Sequence, residues 1–328
     1  MREHILQFNK QFAYEPKIVN REKLKVASRF IFAGMGGSGL VGSMVKRLKP
    51  ELDLVVHQSY GLPMGISDLK QRLFITNSYS GNTEETIDSF LAALKWGIPA
   101  LAMGTGGKLI ETTKKKNLPY IQIPDTGIQP RMSTGMVLRG LLKIVGDKKL
   151  LKESEKLVTT LKPADYEADG KALAEKLKNK VPVIYSSVNN VSVAYNWKIK
   201  LNETGKIPAF YNVLPELNHN EMTGFSSSGG SASGGDTSAR HLSEKFCFIF
   251  LKDKNDYPRI IKRMEVLKEL YEKRGLPVHV VDLTGKNALE QIFSSLVLAD
   301  WTAFYTAKEY GLDPEQVPMV EEFKGLIR

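Results

Sequence analysis

The sequence is poor in cysteine and histidine, and this shortage limits the chemistry open to the protein. One cysteine, Cys247, occurs among 328 residues, so an internal disulfide cannot form, a pattern typical of the reducing cytosol. Cys247 lies in the apolar run 246–251 with no basic residue placed to lower its pKa, which favours a buried strand residue over a nucleophile. His219 has Glu221 nearby, but two residues without a third ligand do not predict a metal site.

Long apolar runs are missing as well. The sequence has no stretch of about 18 consecutive apolar residues, so it predicts no membrane-spanning helix. The opening residues, MREHILQFNKQF, are interrupted by charges and lack the continuous apolar segment of a secretion signal. We therefore expect a cytoplasmic protein that does not act at a membrane.

Charge is plentiful but is not clustered. The chain carries 46 basic and 36 acidic residues, a formal net charge of +10. A nucleic-acid-binding protein concentrates its basic residues and interleaves them with aromatic ones, whereas these lysines are spread over amphipathic segments. The sequence thus predicts solvated helix faces and no nucleic-acid partner. The excess positive charge raises the local concentration of anionic metabolites.

Short apolar runs alternate with amphipathic segments along both halves of the chain. The predicted strands of the first half are residues 29–33, 52–57, 73–77, 99–103 and 120–123. The predicted helices between and after them are residues 40–48, 83–95, 109–116 and 132–145. The second half has predicted strands at 181–186, 207–212, 246–251 and 278–281, and predicted helices at 191–204, 260–274 and 288–310. Strands that alternate with helices favour parallel sheets covered by helices on both faces.

The repeated pattern predicts an α/β protein with two tandem, doubly wound domains of flavodoxin-like type. We assign residues 1–150 to the first domain and residues 151–328 to the second, with the boundary near residues 146–163. Residues 225–240 fit neither domain, because they are almost all Ser, Gly and Ala and cannot bury much apolar surface. They predict a mobile surface loop or a lid.

A glycine-rich loop, GMGGSG at residues 34–39, follows the first predicted strand and opens a helix. Glycines let the backbone approach a ligand, and the amides at a helix N-terminus attract an anion. The string also fits the dinucleotide motif G-x-G-x-x-G. However, the second strand ends in His57 and Gln58, where a dinucleotide fold needs an acidic residue for the ribose.

A second loop, SYSGNTEET at residues 78–86, follows the third predicted strand. Ser78, Ser80 and Thr83 supply hydroxyls around a glycine turn, and hydroxyls with backbone amides can surround a phosphate without a metal. Helix capping is the structural alternative, but it needs one of these residues rather than all of them.

Together, GMGGSG and SYSGNTEET resemble the sugar isomerase (SIS) domain, whose second loop holds the phosphate of a phosphosugar. The phosphate ligands implied by this resemblance are Ser78, Ser80 and Thr83. The implied residues beside the sugar are Gly36, Gly37 and Ser38.

The second half carries WKIKLNET at residues 197–204 and PELNHNE at residues 215–221. An aldose–ketose isomerase needs a base that moves a proton between C1 and C2, and a group that opens the sugar ring. Glu203, a carboxylate at the end of a predicted helix, and His219, an imidazole that can take up or give a proton, suit these tasks. From the residues alone, a solvated helix-end carboxylate and an ordinary turn histidine remain open.

WKIKLNETGKIPAF followed by PELNHNEMTGF is similar to the bifunctional phosphoglucose/phosphomannose isomerases, homodimers with two SIS domains and no metal or other cofactor. The roles that this resemblance implies are proton-transfer base for Glu203, ring opening across the dimer for His219, stabilisation of the intermediate for Arg131, and completion of the site for Lys324. The implied substrates are glucose 6-phosphate and mannose 6-phosphate, with fructose 6-phosphate as product.

One departure from the family concerns specificity. Members often carry a Thr in a D-P-T-P-V segment, linked to acceptance of mannose 6-phosphate, where this chain has Glu315. Three alternatives stay open: a non-catalytic phosphosugar sensor, an SIS isomerase for another hexose phosphate, and a nicotinamide oxidoreductase.

Overall fold

The computed structural model describes residues 1–226 and 242–327. The chain forms two compact units, a first unit of Leu6–Lys162 and a second unit of Met1–Ile5 with Pro163–Arg328. These units are defined by packing and not by independent folding, so the assignment of residues 1–150 and 151–328 as domains stays a prediction. Most of the predicted loop 225–240 lies outside the described residues.

The first unit contains one sheet, which is parallel except at one edge. Its strands are β1 (Ile18–Val19), β2 (Arg29–Ala33), β3 (Asp53–His57), β4 (Leu73–Asn77), β5 (Ala100–Gly104) and β6 (Tyr120–Gln122). Their order across the sheet is β1-β6-β5-β4-β2-β3, and β1 alone is antiparallel, pairing with β6. The parallel strands follow the flavodoxin-like order, which confirms the predicted fold class for this half.

Helices cover the sheet of the first unit. After the opening helix α1 (Arg2–Leu6), they are α2 (Gly36–Leu48), α3 (Glu84–Lys95), α4 (Gly107–Lys115), α5 (Thr134–Ile144), α6 (Lys148–Glu155) and α7 (Leu157–Thr160). Shorter 3-10 segments lie at Phe8–Ala13, Arg21–Lys23, Leu69–Gln71 and Pro130–Met132. Helix α3 shows the helical spacing well, since it buries Thr86, Ser89, Phe90 and Ala93 on one face.

The second unit repeats the same topology with fewer strands. They are β7 (Val181–Ser187), β8 (Phe210–Leu214), β9 (Phe246–Lys252) and β10 (Val278–Asp282), all parallel, in the order β10-β9-β7-β8. Numbered from β7, this order is 4-3-1-2, the arrangement of the first four parallel strands of the first unit. The match supports the prediction of two similar α/β halves.

The helices of the second unit lie on both faces of its sheet. They are α8 (Glu167–Lys176), α9 (Val191–Glu203), α10 (Pro258–Glu272), α11 (Ala288–Glu309) and α12 (Pro318–Leu326), with 3-10 segments at Pro163–Tyr166, Val188–Asn190, Glu216–His219 and Glu221–Phe225. Helix α10 packs on one face through Met264, Leu267 and Tyr271, against Tyr185 and Phe248. Because parallel crossovers are right-handed, α9 lies on the opposite face.

The strand predicted at 207–212 was misplaced, because β8 begins at Phe210. The backbone N–H of Ile207 donates to the carbonyl of Leu201, and the side chain of Asn202 donates to the carbonyl of Ile207. Ile207 therefore closes the end of α9 instead of joining the sheet, and Pro208 has no N–H to give to a ladder.

Cys247 is fully buried in β9, where desolvation raises the pKa of its thiol to about 12. The prediction of a buried strand residue is confirmed. A thiol with this pKa carries almost no thiolate near neutral pH, so it is inert as a nucleophile.

Candidate active site

The first unit provides the sheet edge at which open α/β sheets bind ligands. The strand order reverses between β2 and β4, so the loops that follow these strands open at the same carboxyl edge. The glycine-rich loop lies between β2 and α2, and the serine-rich loop lies between β4 and α3. Both predicted phosphate loops are thus side by side.

Gly37 explains why the first loop needs glycine. A Cβ at this position would lie 2.8 Å from the Cα of Arg131, closer than real Cβ contacts allow. Gly37 therefore lets the segment Pro130–Met132 lie directly against the first turn of α2, and the Arg131 side chain is almost completely buried there. Gly36 has φ +48°, a conformation that favours glycine.

The serine loop is held by its own hydroxyl groups. The Oγ of Ser78 and the Oγ1 of Thr83 are 2.9 Å apart, at hydrogen-bond distance. The backbone N–H of Gly81 donates to the Oγ of Ser78 at 3.1 Å. Ser78 is fully buried, Thr83 is half-buried and Ser80 is exposed, so two of the predicted ligands form a fixed pair while Ser80 lies at the rim.

Ser38 joins the two loops. Its Oγ accepts a hydrogen bond from the backbone N–H of Tyr79 at 3.3 Å, and its carbonyl accepts one from the side chain of Asn77 at 2.8 Å. The structure therefore brings Ser38, Ser78 and Thr83 into one connected group. We call this group, with Ser80 and the first turns of α2 and α3, the hydroxyl cradle. Helix N-terminal amides and hydroxyls in this arrangement suit a phosphate.

Glu203, the predicted base, is the last residue of α9 and is half-buried. Two buried contacts fix α9 against α11: the indole N–H of Trp197 donates to the Oγ of Ser295 at 2.9 Å, and the Nζ of Lys200 lies 2.5 Å from the Oδ1 of Asp300. Lys200 and Asp300 are both fully buried. Since Lys200 is one helical turn before Glu203, this ion pair sets where the helix end lies.

Lys206 connects the end of α9 with the segment that leads into α12. Its Nζ donates to the backbone carbonyl of Glu203 at 2.5 Å and to that of Gln316. Gln316 precedes α12, the helix that carries Lys324. Lys206 thereby holds the end of α9, where Glu203 lies, next to the segment that leads into the helix of Lys324.

His219 is exposed at the end of the 3-10 segment Glu216–His219, which follows β8. The neighbouring Glu221 anchors this region: its Oε1 accepts a hydrogen bond from the hydroxyl of Tyr185 at 2.5 Å, and its Oε2 accepts one from Asn212. Glu221 is therefore occupied in holding the turn against β7 and β8.

Lys324 is exposed on α12, and its Nζ donates to the Oε1 of Glu321 at 2.7 Å. The N-terminal ammonium of Met1 forms an ion pair with the Oε1 of Glu315, and the Nδ1 of His4 lies 3.9 Å from the same oxygen. The structure thus gathers the cradle residues in the first unit, and in the second unit it ties Glu203 to the segment before α12. The roles of Glu203, His219, Arg131 and Lys324 stay predictions.

The corresponding sheet edge of the second unit has different chemistry. The side chain of Asn190, which follows β7, donates to the Oγ of Ser187 at 3.0 Å and to the carboxylates of Asp253 and Asp256 at 3.3 and 3.4 Å. Both aspartates follow β9 at the place where the strand order reverses. Carboxylates therefore stand at the edge that offers hydroxyls in the first unit.

Sequence reasoning missed Lys200, Asp300 and Lys206. Lys200 and Lys206 belong to the run WKIKLNETGKIPAF, whose similarity to the isomerases could have drawn attention to them. However, nothing in the local sequence indicates that a lysine is buried or bridges two segments.

Across residues 1–226 and 242–327, no helix is both long and apolar enough to cross a membrane. Within the same residues, His, Cys, Asp and Glu side chains do not gather in groups of three or more suited to a metal ion.

The fold has solved counterparts. The structure resembles the C-terminal domain of glucosamine-fructose-6-phosphate aminotransferase from Francisella tularensis, with a TM-score of 0.71 and 12% identity over 96% of each chain. At this identity the likeness concerns the fold alone, and it confirms the predicted SIS architecture.

The sequence itself has relatives along nearly its whole length. The bacterial phospho-glucose isomerase C-terminal SIS domain family matches residues 166–327. A bifunctional phosphoglucose/phosphomannose isomerase from Aquifex aeolicus is 32% identical over 307 residues, 91% of this chain and 90% of the relative. One of the same description from Caldicellulosiruptor bescii is 31% identical over 98% of this chain and 96% of the relative. The chain therefore belongs to the bifunctional phosphoglucose/phosphomannose isomerase family.

Proposed function

We propose that the protein is a cytoplasmic isomerase that interconverts glucose 6-phosphate, and mannose 6-phosphate, with fructose 6-phosphate. It works as a homodimer without a metal or other cofactor. The observation that carries the proposal is the hydroxyl cradle, in which buried Ser78 and half-buried Thr83 form a hydrogen-bonded pair at the sheet edge between two helix N-termini. A cradle of this kind suits a phosphate group, and we infer the reaction from the family to which the chain belongs.

Phosphate binding is the first step. The hydroxyls of Ser78, Ser80 and Thr83, with free amides of the first turns of α2 and α3, donate hydrogen bonds to the phosphate group of the sugar. Gly36, Gly37 and Ser38 lie beside the sugar. Fixing the phosphate end orients C1 and C2 for proton transfer, which removes much of the entropic part of the barrier.

Ring opening and proton transfer follow. His219, contributed by the other subunit and assisted by Lys324, exchanges a proton with the ring oxygen. Glu203 then moves a proton between C2 and C1 through an enediol. The guanidinium of Arg131 offsets the negative charge that develops on the enediolate oxygen. In mannose 6-phosphate the C2 proton is on the opposite face, so rotation about C2–C3 presents it to the same base.

The first test is a coupled assay with a chelator present, in which glucose 6-phosphate and mannose 6-phosphate are supplied separately and fructose 6-phosphate is detected. Turnover of both is expected. Turnover of glucose 6-phosphate alone would point to Glu315 as the reason for the missing second activity. Binding without turnover would contradict the proposal and favour a phosphosugar sensor.

The second test is Glu203→Gln, which removes the base and keeps the shape of the side chain. We expect turnover to fall by about 10² to 10⁴-fold while phosphosugar binding is kept, because that is the usual contribution of a general base. Glu309→Gln is the matched control, since Glu309 ends α11 as Glu203 ends α9. Normal turnover in Glu203→Gln would contradict the mechanism.

A further inference from the structure

Helix α12 presents an apolar face that stays exposed among residues 1–226 and 242–327. Met319, Phe323 and Leu326 have exposed fractions of 80%, 59% and 79%, and α12 contains no buried residue. Their spacing places them on one stripe of the helix. Glu322 flanks this stripe. A short helix with such a face is stable in water only when the face is packed against something.

A groove on α10 has complementary properties. It has a volume of about 300 Å³ and is lined with apolar residues, including Val266 and Leu270, and with Arg259, Lys262 and Arg263. Arg263 donates through Nη1 to the Oδ1 of Asn218 at 3.2 Å, so one wall of the groove is the 3-10 segment that ends at His219. The groove therefore combines apolar residues with three basic side chains, which belong to the first two turns of α10.

The two surfaces have complementary chemistry: an apolar stripe flanked by Glu322 on α12, and an apolar groove that carries three basic residues on α10. An amphipathic helix binds an apolar groove through residues at the spacing of Met319, Phe323 and Leu326. Glu322 at the edge of the stripe carries the charge opposite to that of the basic residues of the groove, and opposite charges at a rim guide association.

Within one chain, α12 is not positioned to enter the α10 groove. Lys206 ties the segment before α12 to the end of α9, and α9 and α10 cover opposite faces of the sheet. We propose that α12 of one subunit docks in the α10 groove of a second copy, and that the exchange is reciprocal. Reciprocal exchange gives a closed two-fold dimer.

This inference rests on the homodimer of the proposed function and gives it an interface. Docking of α12 beside Asn218 brings Lys324 of one subunit towards His219 of the other. The segment that leads into α12 stays linked at Gln316 to Glu203 of its own subunit through Lys206. The interface therefore gives a physical reason why His219 serves the site of the other subunit: the helix that supplies Lys324 is held there.

Cross-linking between two variants, each with one added cysteine, tests the contact. Chains with Phe323→Cys and chains with Val266→Cys, carrying different tags, are mixed and treated with a mild oxidant. The native Cys247 does not react, because it is fully buried. We expect a disulfide between the two tagged chains, and none when Val266→Cys is replaced by Met64→Cys, an exposed residue of the first unit. A chain with both Phe323→Cys and Val266→Cys that forms the disulfide within itself would overturn the exchange.

Sedimentation provides a second measurement that does not depend on a disulfide. Phe323→Asp is expected to raise the dimer dissociation constant about 30-fold or more, the effect of losing a central anchor, whereas Met64→Asp leaves it unchanged. An active wild-type dimer whose thiol pair does not cross-link would overturn this interface and leave the isomerase standing. Cross-linking of a protein without isomerase activity would support the interface and remove the proposed function.

Discussion

Lys206 donates one hydrogen bond to the carbonyl of Glu203, the last residue of α9, and another to the carbonyl of Gln316, just before α12. Two segments that are far apart in sequence are thereby held at one ammonium group. A hydrogen bond from a charged donor contributes about 1.5–3 kcal/mol. Its loss frees both the helix end that carries Glu203 and the helix that carries Lys324.

We therefore expect Lys206→Met to lower kcat by about tenfold or more, because a charge-assisted hydrogen bond of this strength corresponds to at least that factor. KM for the phosphosugar should change little, since the hydroxyl cradle lies in the first unit. Lys198→Met, which alters a lysine in the middle of α9, is the control for loss of one charge. Steady-state kinetics of both variants make the comparison. Equal kcat in the two would contradict a positioning role for Lys206.

Ser78→Ala tests the hydroxyl cradle. The variant loses the hydroxyl that pairs with Thr83 and accepts from the N–H of Gly81, and it loses a phosphate ligand. An unsatisfied buried group costs about 1–3 kcal/mol, which corresponds to a rise in KM of roughly 5- to 150-fold. Ser89→Ala is the matched control, because Ser89 is also buried and donates to the carbonyl of Ser59 instead. A similar KM in both variants would remove Ser78 from the phosphate site.

The buried ion pair of Lys200 and Asp300 gives a prediction about stability. Lys200→Met leaves a buried carboxylate without this ammonium, so we expect the free energy of unfolding to fall by about 3–5 kcal/mol. Combining it with Asp300→Leu should recover part of the loss, because no buried charge remains. Lys178→Met, in an exposed pair with Glu309, should cost less than about 1 kcal/mol. Denaturant titrations measure all of these, and equal losses for Lys200→Met and Lys178→Met would contradict the prediction.

His279 makes stability depend on pH. Burial lowers the pKa of its imidazole below the ordinary value of 6.5, with Lys176 acting in the same direction and Glu272 opposing it. Below about pH 6.5 the unfolded chain therefore takes up a proton that the folded chain does not, and the free energy of unfolding falls as pH decreases towards the folded-state pKa. Above about pH 6.5 this contribution is fully present.

Replacing His279 by Gln removes this titration. We expect His279→Gln to lose less stability than the wild type between about pH 6.5 and pH 5 in chemical denaturation. His219→Gln removes an exposed imidazole and serves as the control. If wild type and His279→Gln lose stability in parallel over this range, burial of His279 does not contribute.

The strands next to the hydroxyl cradle could be predicted from local sequence. Strands β2 and β4 were predicted to the residue, because each is a short apolar run that ends at a glycine- or serine-rich loop. The two-residue strand β1 was missed, since it exists only through its pairing with β6. A strand this short has no periodicity of its own, and tertiary contacts alone create it.

The site was predictable where motif and backbone coincide and not where distant charges meet. Ser78 and Thr83 share one turn, so their proximity follows from their spacing. Lys200 meets Asp300 at a separation of 100 residues along the chain, and a lysine in a helical pattern is ordinarily expected to be exposed. Its burial depends on a partner that local pattern does not reveal.

The acidic edge of the second sheet has a consequence for stoichiometry and for the history of the chain. The halves share a strand order, but Asp253 and Asp256 stand where the other half presents serine and threonine hydroxyls. Carboxylates repel a phosphate dianion, so a calorimetric titration with phosphosugar should saturate at one molecule per chain. The two halves would then be copies of one ancestral phosphate-binding domain. The first half kept the phosphate site, and the second half lost it and contributes residues for proton transfer.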